Sequence, residues 1–231
     1  MSDHVWHEHP DAAEMATGLA DCLAEAIERG VAERGQACLA LAGGSTPVAA
    51  YELLDQRSLP WDRVTLLPTD ERWVGPNDAL NNARMLREQL SHAGASGCRI
   101  IQLADTSRPP EQALDGLETL LNGLPRPFDL VLLGMGTDGH TASLFPDDPE
   151  IESNLASKRP AVPAHPPSQP TARVSLTPLR LSETSKAVLA ISGGSKRDVL
   201  TRALSCDPDD APPIARTAAR LKSPIHIHWC P

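Results

Sequence analysis

The chain alternates between short apolar runs of strand length and stretches in which apolar residues recur every three or four positions. The first pattern predicts buried strands, and the second predicts amphipathic helices. Strands are predicted at 38–42, 64–68, 99–103, 128–133, 173–177, 187–191 and 225–229. Helices are predicted at about 11–33, 48–54, 83–90 and 111–121, with a further helix that begins near 195.

This alternation predicts an α/β fold with an open, mainly parallel sheet and helices on both faces, of the Rossmann-like kind. Hydrophobic residues make up 41% of the 231 residues, so the chain can bury a sizeable aliphatic core. No long-period repeat or linker interrupts the pattern. We therefore predict a single domain that spans residues 1–231.

Two segments are expected to lie outside the sheet. The repeated prolines of 159–170 disfavour a helix or a central strand and predict a loop, which at this length is expected to be a functional lid or rim. His4, His7 and His9 are expected to belong to a solvated terminal tail. His226 and His228 share one face of the last predicted strand, where no ligand role is expected.

Charge and composition exclude several classes of partner. A formal net charge of −9 argues against a nucleic-acid partner. The sequence shows neither a secretory signal nor an apolar run of membrane-spanning length, so we expect a cytoplasmic protein with no membrane partner. Five scattered cysteines without Cys-x-x-Cys spacing predict reduced thiols and no metal site.

Glycine-rich turns follow two of the predicted strands. Gly43, Gly44, Ser45 and Thr46 lie between a strand and a helix, where backbone amides and hydroxyls can cradle a phosphate, although an ordinary turn would use the same residues. The same order of strand, glycines, hydroxyl and helix recurs at 192–196. Lys196 then stands at a helix start, as a charge for an anion or as a solvated side chain.

Charged side chains stand at the ends of other predicted strands. Asp138 and His140 follow the strand at 128–133 on a glycine-rich turn, and Thr141 is predicted to cap a short helix. Asp70 and Arg72 follow the strand at 64–68, either as a salt-bridged surface turn or as a wall of a pocket in which the guanidinium meets an anion.

Because ligands bind at the carboxyl ends of strands in open α/β sheets, these residues are expected to converge with Arg173 on one pocket. The pocket would have a phosphate-binding side and one histidine placed for proton transfer. The sequence has no Walker A loop, no His-Glu-x-x-His helix and no Gly-x-Ser-x-Gly elbow. Nucleotide hydrolysis and serine-type hydrolysis are therefore poor candidates.

Three longer motifs resemble those of the 6-phosphogluconolactonases in the glucosamine-6-phosphate isomerase/6-phosphogluconolactonase family. They are LAGGSTP at 41–47, DERWV at 70–74 and GMGTDGHTASLFP at 134–146, with Asn82 and Met85 between them. The resemblance implies a sugar-phosphate isomerase-like fold and hydrolysis of 6-phospho-D-glucono-1,5-lactone in the oxidative pentose phosphate pathway. It also implies a small-molecule partner, no metal and no organic cofactor.

For that reaction, His140 is expected to be the general base, oriented by Asp138 or Asp70. Arg72 or backbone amides are expected to stabilise the oxyanion. The residues expected to hold the phosphate are Gly43, Gly44, Ser45, Thr46, Arg173 and Lys196. The oligomeric state is expected to be a monomer or a weak homodimer.

Two alternatives share the resemblance. A glucosamine-6-phosphate deaminase or isomerase is expected to carry a further carboxylate shortly after the histidine, where this chain reads Ser-Leu-Phe-Pro at 143–146. A non-catalytic sugar-phosphate sensor is expected to carry a DNA-binding module, for which no segment is evident.

Overall fold

The computed structural model describes residues 3–90, 92–207 and 210–231. The described strands are β1 (His4–Glu8), β2 (Ala37–Leu41), β3 (Val64–Pro68), β4 (Asp70–Arg72), β5 (Arg99–Ile100), β6 (Leu130–Leu133), β7 (Ala161–Ala164), β8 (Arg173–Leu176), β9 (Ala187–Ser192) and β10 (Ile225–Cys230). Seven form a parallel sheet in the order β1-β10-β9-β6-β2-β3-β5, and three form an antiparallel sheet in the order β4-β8-β7.

The described helices are α1 (Ala12–Arg34), α2 (Val48–Asp55), α3 (Asn82–Gln89), α4 (Pro110–Asn122), α5 (Ile151–Ala156), α6 (Pro178–Ser182), α7 (Gly194–Ser205) and α8 (Pro213–Ala218). Short 3₁₀ turns lie at Trp61–Arg63 and Ala95–Gly97. None of these helices is both long and apolar enough to cross a membrane.

Helix α1 lies close to its predicted bounds because both of its ends are capped. At its start, Asp11 Oδ1 accepts hydrogen bonds from the amides of Ala13 and Glu14, each at 2.9 Å. At its end, Gly35 adopts a left-handed conformation with φ of 73° and donates its amide to Val31 O.

The parallel sheet is covered on both faces, as predicted. In β2, Leu39 and Leu41 pack in an apolar cluster with residues of α1, α2 and α3, whereas Cys38 and Ala40 pack in a second cluster with residues of α4, α7 and α8. Alternate side chains of a strand point to opposite faces, so a strand that is apolar throughout has helices on both sides.

The winding of the parallel sheet reverses between β2 and β6. From β2 the chain adds β3 and β5 toward one edge of the sheet, and it then returns to place β6 on the other side of β2. A reversal of this kind opens a crevice at the carboxyl ends of the two central strands. It brings the turn at 43–46 beside the turn at 134–140.

The prediction of a solvated N-terminal tail is wrong, because β1 pairs in parallel with β10 as an edge strand. His9 N also donates to Trp229 O at 2.8 Å. The segment is rich in histidine, so it lacks the alternation of apolar residues that would have indicated a strand. In the structure its side chains make ring contacts instead: His7 stacks on His228 with ring centroids 4.6 Å apart.

The prediction that 159–170 is a loop throughout is also wrong, because β7 lies inside it. β7 is an edge strand of the small antiparallel sheet, where Pro163 pairs opposite Val174. An edge strand tolerates proline since its outward side needs no amide donor. The segment at 70–72 likewise forms the unpredicted strand β4, which pairs with β8.

Two further predictions need correction around the central strands. Thr141 does not cap a helix; its hydroxyl donates to Gly134 O at 2.9 Å, and the next helix is α5. The predicted strand at 99–103 pairs with β3 only over Arg99–Ile100, although the amide of Ile101 still donates to Leu66 O at 2.9 Å.

Candidate active site

A cleft of about 270 Å³ lies at the carboxyl ends of β2, β3 and β6, beside the reversal of winding. Nine of the ten residues expected in the site line this cleft, namely Gly43, Gly44, Ser45, Thr46, Asp70, Arg72, His140, Arg173 and Lys196. Asp138, the tenth, contacts His140. The sequence therefore predicted which residues converge.

His140 is held from two sides by a single carboxylate oxygen. Asp138 Oδ1 lies 2.7 Å from Nδ1 of the His140 ring, and it also accepts the backbone amide of His140 at 3.1 Å. Because a carboxylate oxygen accepts rather than donates, Nδ1 carries the ring proton of neutral His140. Nε2 is then left with a lone pair that can accept a proton.

The approach of Asp138 to His140 requires glycine at 136. A Cβ atom added to Gly136 would lie 2.3 Å from two ring atoms of His140 and 2.6 Å from Asp138 Oδ1. The turn is closed by the amide of Gly136, which donates to His140 O at 3.1 Å. The absence of a side chain at position 136 therefore allows Asp138 and His140 to pack against the turn.

Asp70 makes a different set of contacts. Its Oδ2 accepts a hydrogen bond from Ser143 Oγ at 2.5 Å and lies 3.8 Å from Nη1 of Arg173. Asp70 is only 7% exposed, so its charge is balanced by this arginine more than by water. The sequence left open which carboxylate meets His140; Asp138 is the one in contact.

Arg173 is a buried cation that is only partly neutralised. It is 8% exposed, and its Nη2 donates to Gln169 Oε1 at 2.8 Å. Its Nε has no hydrogen-bond partner among the described residues. Burial lowers the pKa of Arg173 and the nearby Asp70 raises it, while arginine keeps its proton at neutral pH.

Arg72 is fixed against the start of α3. Its Nη1 donates to Leu80 O and to Asn82 Oδ1, both at 3.0 Å, and its buried Nε has no partner in the described part of the chain. Asn82 in turn approaches Gly43 so closely that an added Cβ there would lie 2.3 Å from Asn82 Oδ1. Asn82 thus contacts both Arg72 and the glycine turn at 43–46.

Glu71 anchors the same helix start and does not line the cleft. It is fully buried, and its carboxylate accepts the amides of Asn82 at 2.6 Å, Ala83 at 2.9 Å and Arg72 at 3.0 Å. Burial raises the pKa of Glu71 to about 7, against the opposing effect of these amides. Its carboxylate therefore serves to fix the backbone at the start of α3.

Lys196 lies in the first turn of α7 and lines the same cleft as the turn at 43–46. Within the described ranges it has no ion-pair partner. The cleft lining thus includes three cations, Arg72, Arg173 and Lys196, and one carboxylate, Asp70. On a chain of net charge −9, this local excess of positive charge favours an anionic ligand.

Three polar or aromatic residues next to the site were missed as site residues. Ser143 and Phe145 follow His140 within the motif at 134–146, so their position was a signal. Gln169 lies in the proline-rich segment, where only the expected lid or rim pointed to function. No group of three or more His, Cys, Asp or Glu in the described ranges is arranged to hold a metal ion.

Comparisons with known proteins show the family of this chain. The family model described as glucosamine-6-phosphate isomerases/6-phosphogluconolactonase matches residues 10–226. A 6-phosphogluconolactonase from Pseudomonas aeruginosa is 38% identical over 222 residues, which cover 95% of this chain and 92% of that protein. One from Mesorhizobium japonicum is 34% identical, with coverage of 100% and 97%.

The fold is also similar to a crystal structure of a 6-phosphogluconolactonase from Shewanella baltica. The TM-score is 0.95 at 32% sequence identity, and the match covers 99% of this chain and 98% of that chain. The matched family model and the near full-length relatives lead to one conclusion. The chain belongs to the glucosamine-6-phosphate isomerase/6-phosphogluconolactonase family.

Proposed function

We propose that this protein hydrolyses 6-phospho-D-glucono-1,5-lactone to 6-phosphogluconate in the oxidative pentose phosphate pathway. The observation that carries the proposal is His140, whose Nδ1 lies 2.7 Å from Asp138 Oδ1, in the same cleft as three cations and a glycine turn. A base and an anion site at fixed separation suit a substrate with a reactive carbonyl at one end and a phosphate at the other.

In the proposed mechanism, Nε2 of His140 takes a proton from a water molecule as the water oxygen attacks C1 of the lactone. The carboxylate of Asp138 then stabilises the imidazolium through Nδ1. When the C1–O5 bond breaks, the imidazolium returns its proton to the departing ring oxygen. The products are the open-chain acid, which ionises in water, and the original neutral histidine.

Negative charge develops on the carbonyl oxygen during the attack and needs hydrogen-bond donors. Arg72 lines the cleft as a cation, so it is our candidate together with backbone amides of the glycine turns. Such donors are effective because they are already oriented before the charge appears.

The phosphate is proposed to lie against Gly43, Gly44, Ser45 and Thr46, with Arg173 and Lys196 as its cationic partners. Its binding is remote from C1, so its role is to fix the position of the reacting carbonyl. Support comes from the charge of Arg173, which lines the cleft and has only the more distant Asp70, at 3.8 Å, as an anionic partner among the described residues.

We further propose that residues 1–231 act as one domain, in the cytoplasm, as a monomer or weak homodimer. The net charge of −9 supports the absence of a nucleic-acid partner.

The test of the function is a comparison of substrates with purified protein. We expect rapid loss of freshly generated 6-phosphogluconolactone, measured as acid release after subtraction of spontaneous hydrolysis. We expect no ammonia from glucosamine 6-phosphate. A deaminase is expected to carry a further carboxylate shortly after the histidine, and this chain has none at 143–146. Ammonia release above background, without lactone hydrolysis, would assign the cleft to the deaminase reaction instead.

A further inference from the structure

Phe145 is a buried aromatic residue that lies outside the apolar core. It is 2% exposed, yet it belongs to none of the three apolar clusters formed by the described residues. Its ring contacts two polar side chains of the cleft. The imidazole of His140 stacks on it with centroids 4.0 Å apart and planes at 25°, and the guanidinium carbon of Arg173 lies 5.2 Å over its centroid.

The segment around Phe145 is anchored independently of these contacts. Leu144 packs into a separate apolar cluster with Leu155 and Val162. Ser143 donates its amide to Ser175 Oγ at 3.2 Å and its hydroxyl to Asp70 at 2.5 Å. The ring of Phe145 is therefore a fixed surface for the two side chains that it contacts.

The stacking supplies a constraint that Asp138 cannot. A hydrogen bond at Nδ1 fixes one corner of the imidazole but leaves the ring free to turn about that bond. Contact with the face of Phe145 fixes the plane of the ring, and the two constraints together set the direction of Nε2. The negative face of an aromatic ring also attracts the guanidinium of Arg173 and the imidazolium that forms during proton transfer.

We propose that Phe145 is a positioning residue that holds the imidazole of His140 and the guanidinium of Arg173 in a fixed mutual arrangement. It thereby couples the proton-transfer end of the cleft to its phosphate end. This inference rests on the proposed function, since it takes His140 as the base and Arg173 as a phosphate ligand.

The variant Phe145→Leu tests the proposal because leucine keeps an apolar side chain and removes the aromatic face. We expect kcat for the lactone to fall about tenfold, the range that corresponds to loss of one aromatic or cation–π contact, and KM to rise as well. Phe128→Leu is the matched control: Phe128 is also buried and also lies under a guanidinium, that of Arg180, but it does not line the cleft. It should lower stability while kcat and KM stay within twofold.

Two further measurements separate positioning from general destabilisation. The Cε1 proton of His140 should carry a ring-current shift in the NMR spectrum that Phe145→Leu abolishes and Phe128→Leu retains. The affinity for 6-phosphogluconate should fall with Phe145→Leu in the parent protein but not further in an Arg173→Ala background, because contacting residues are not additive. Phe145→Met replaces the leucine variant if that one does not fold.

Additive losses of affinity, or an unchanged kcat in folded Phe145→Leu, would overturn the positioning role. If that occurs while His140→Ala abolishes activity, the proposed function stands and only this inference fails. If His140→Ala keeps the corrected rate, the base is elsewhere and both fail.

Discussion

Nε2 of His9, the residue that follows β1, lies 3.1 Å from Nδ1 of His228 in the neighbouring strand β10. His7 and His226 make the same contact at 3.0 Å, and the rings stack with centroids 4.6 to 5.2 Å apart. Each pair shares one hydrogen between two ring nitrogens, so the ring that accepts it must be neutral. Burial, with the nearby Lys186 and the other histidines, lowers the pKa of His7 and His226, and that of His228 to about 3.

These histidines should make the protein less stable in acid. A histidine whose pKa is lowered by folding stabilises the fold fully above the unfolded value of 6.5, and this contribution is lost as the pH falls below it. Between pH 7.5 and pH 5, His228 alone should cost about 2 kcal/mol of unfolding free energy. Glu71 acts in the opposite direction, since its raised pKa weakens the fold as the pH rises from 4.5 toward 7.

Urea unfolding of the parent protein and of His228→Gln at both pH values isolates the histidine contribution, because that of Glu71 cancels in the difference. The variant should lose less stability on acidification than the parent. Equal losses in the two proteins would show that His228 is not held neutral by the fold.

His140→Ala should lower kcat by roughly 10²–10⁴ and leave the affinity for 6-phosphogluconate nearly unchanged. The reason is that the imidazole moves a proton but does not hold the phosphate. The measurement is steady-state hydrolysis corrected for the spontaneous rate, with product binding by calorimetry. His92→Ala, at an exposed position, is the matched control and should behave as the parent.

Removal of the phosphate from the substrate should lower kcat/KM strongly. Arg173→Ala and Lys196→Ala should act chiefly through KM, since they remove binding that is common to ground and transition states. Both should narrow the discrimination between phosphorylated and unphosphorylated gluconolactone. Lys222→Ala removes an exposed lysine and serves as the control. Equal rates for the two lactones in the parent protein would contradict the phosphate cradle.

Gly136→Ala and Gly116→Ala form a matched pair. At Gly136 a methyl group would meet His140 and Asp138, so we expect a loss of kcat of at least tenfold as the pair is displaced. Gly116 lies within α4 with open space around its missing Cβ, so alanine there should stabilise the helix by about 0.5–1 kcal/mol without a change in rate. Activity assays and thermal unfolding distinguish the two effects.

The sequence predicted the central strands and the residues that converge at their ends, because both follow from local signals. Apolar runs of strand length mark buried strands, and glycines beside hydroxyls or charges mark their ends. The edge strands were not predictable in this way. β1 is specified by β10, which is more than two hundred residues away, and Pro163 is acceptable in β7 only because that strand is at an edge.

The contacts of Gln169 and Phe145 could not be predicted from the sequence either. The hydrogen bond from Arg173 to Gln169 depends on how the segment after β7 folds back, and proline-rich sequence does not encode that path. Phenylalanine is a residue type that usually packs in the core. Only the structure shows that the ring of Phe145 contacts the polar side chains of His140 and Arg173.

The reversal of winding between β2 and β6 also determines when the cleft can exist. The glycine turn after β2 and the histidine turn after β6 are neighbours in space, but β3 and β5 come between them in the chain. During synthesis the first turn therefore leaves the ribosome well before the second, and no ligand can be held until both halves have joined. Recovery of lactone hydrolysis after refolding would accordingly time the docking of β6 against β2, a late and non-local step.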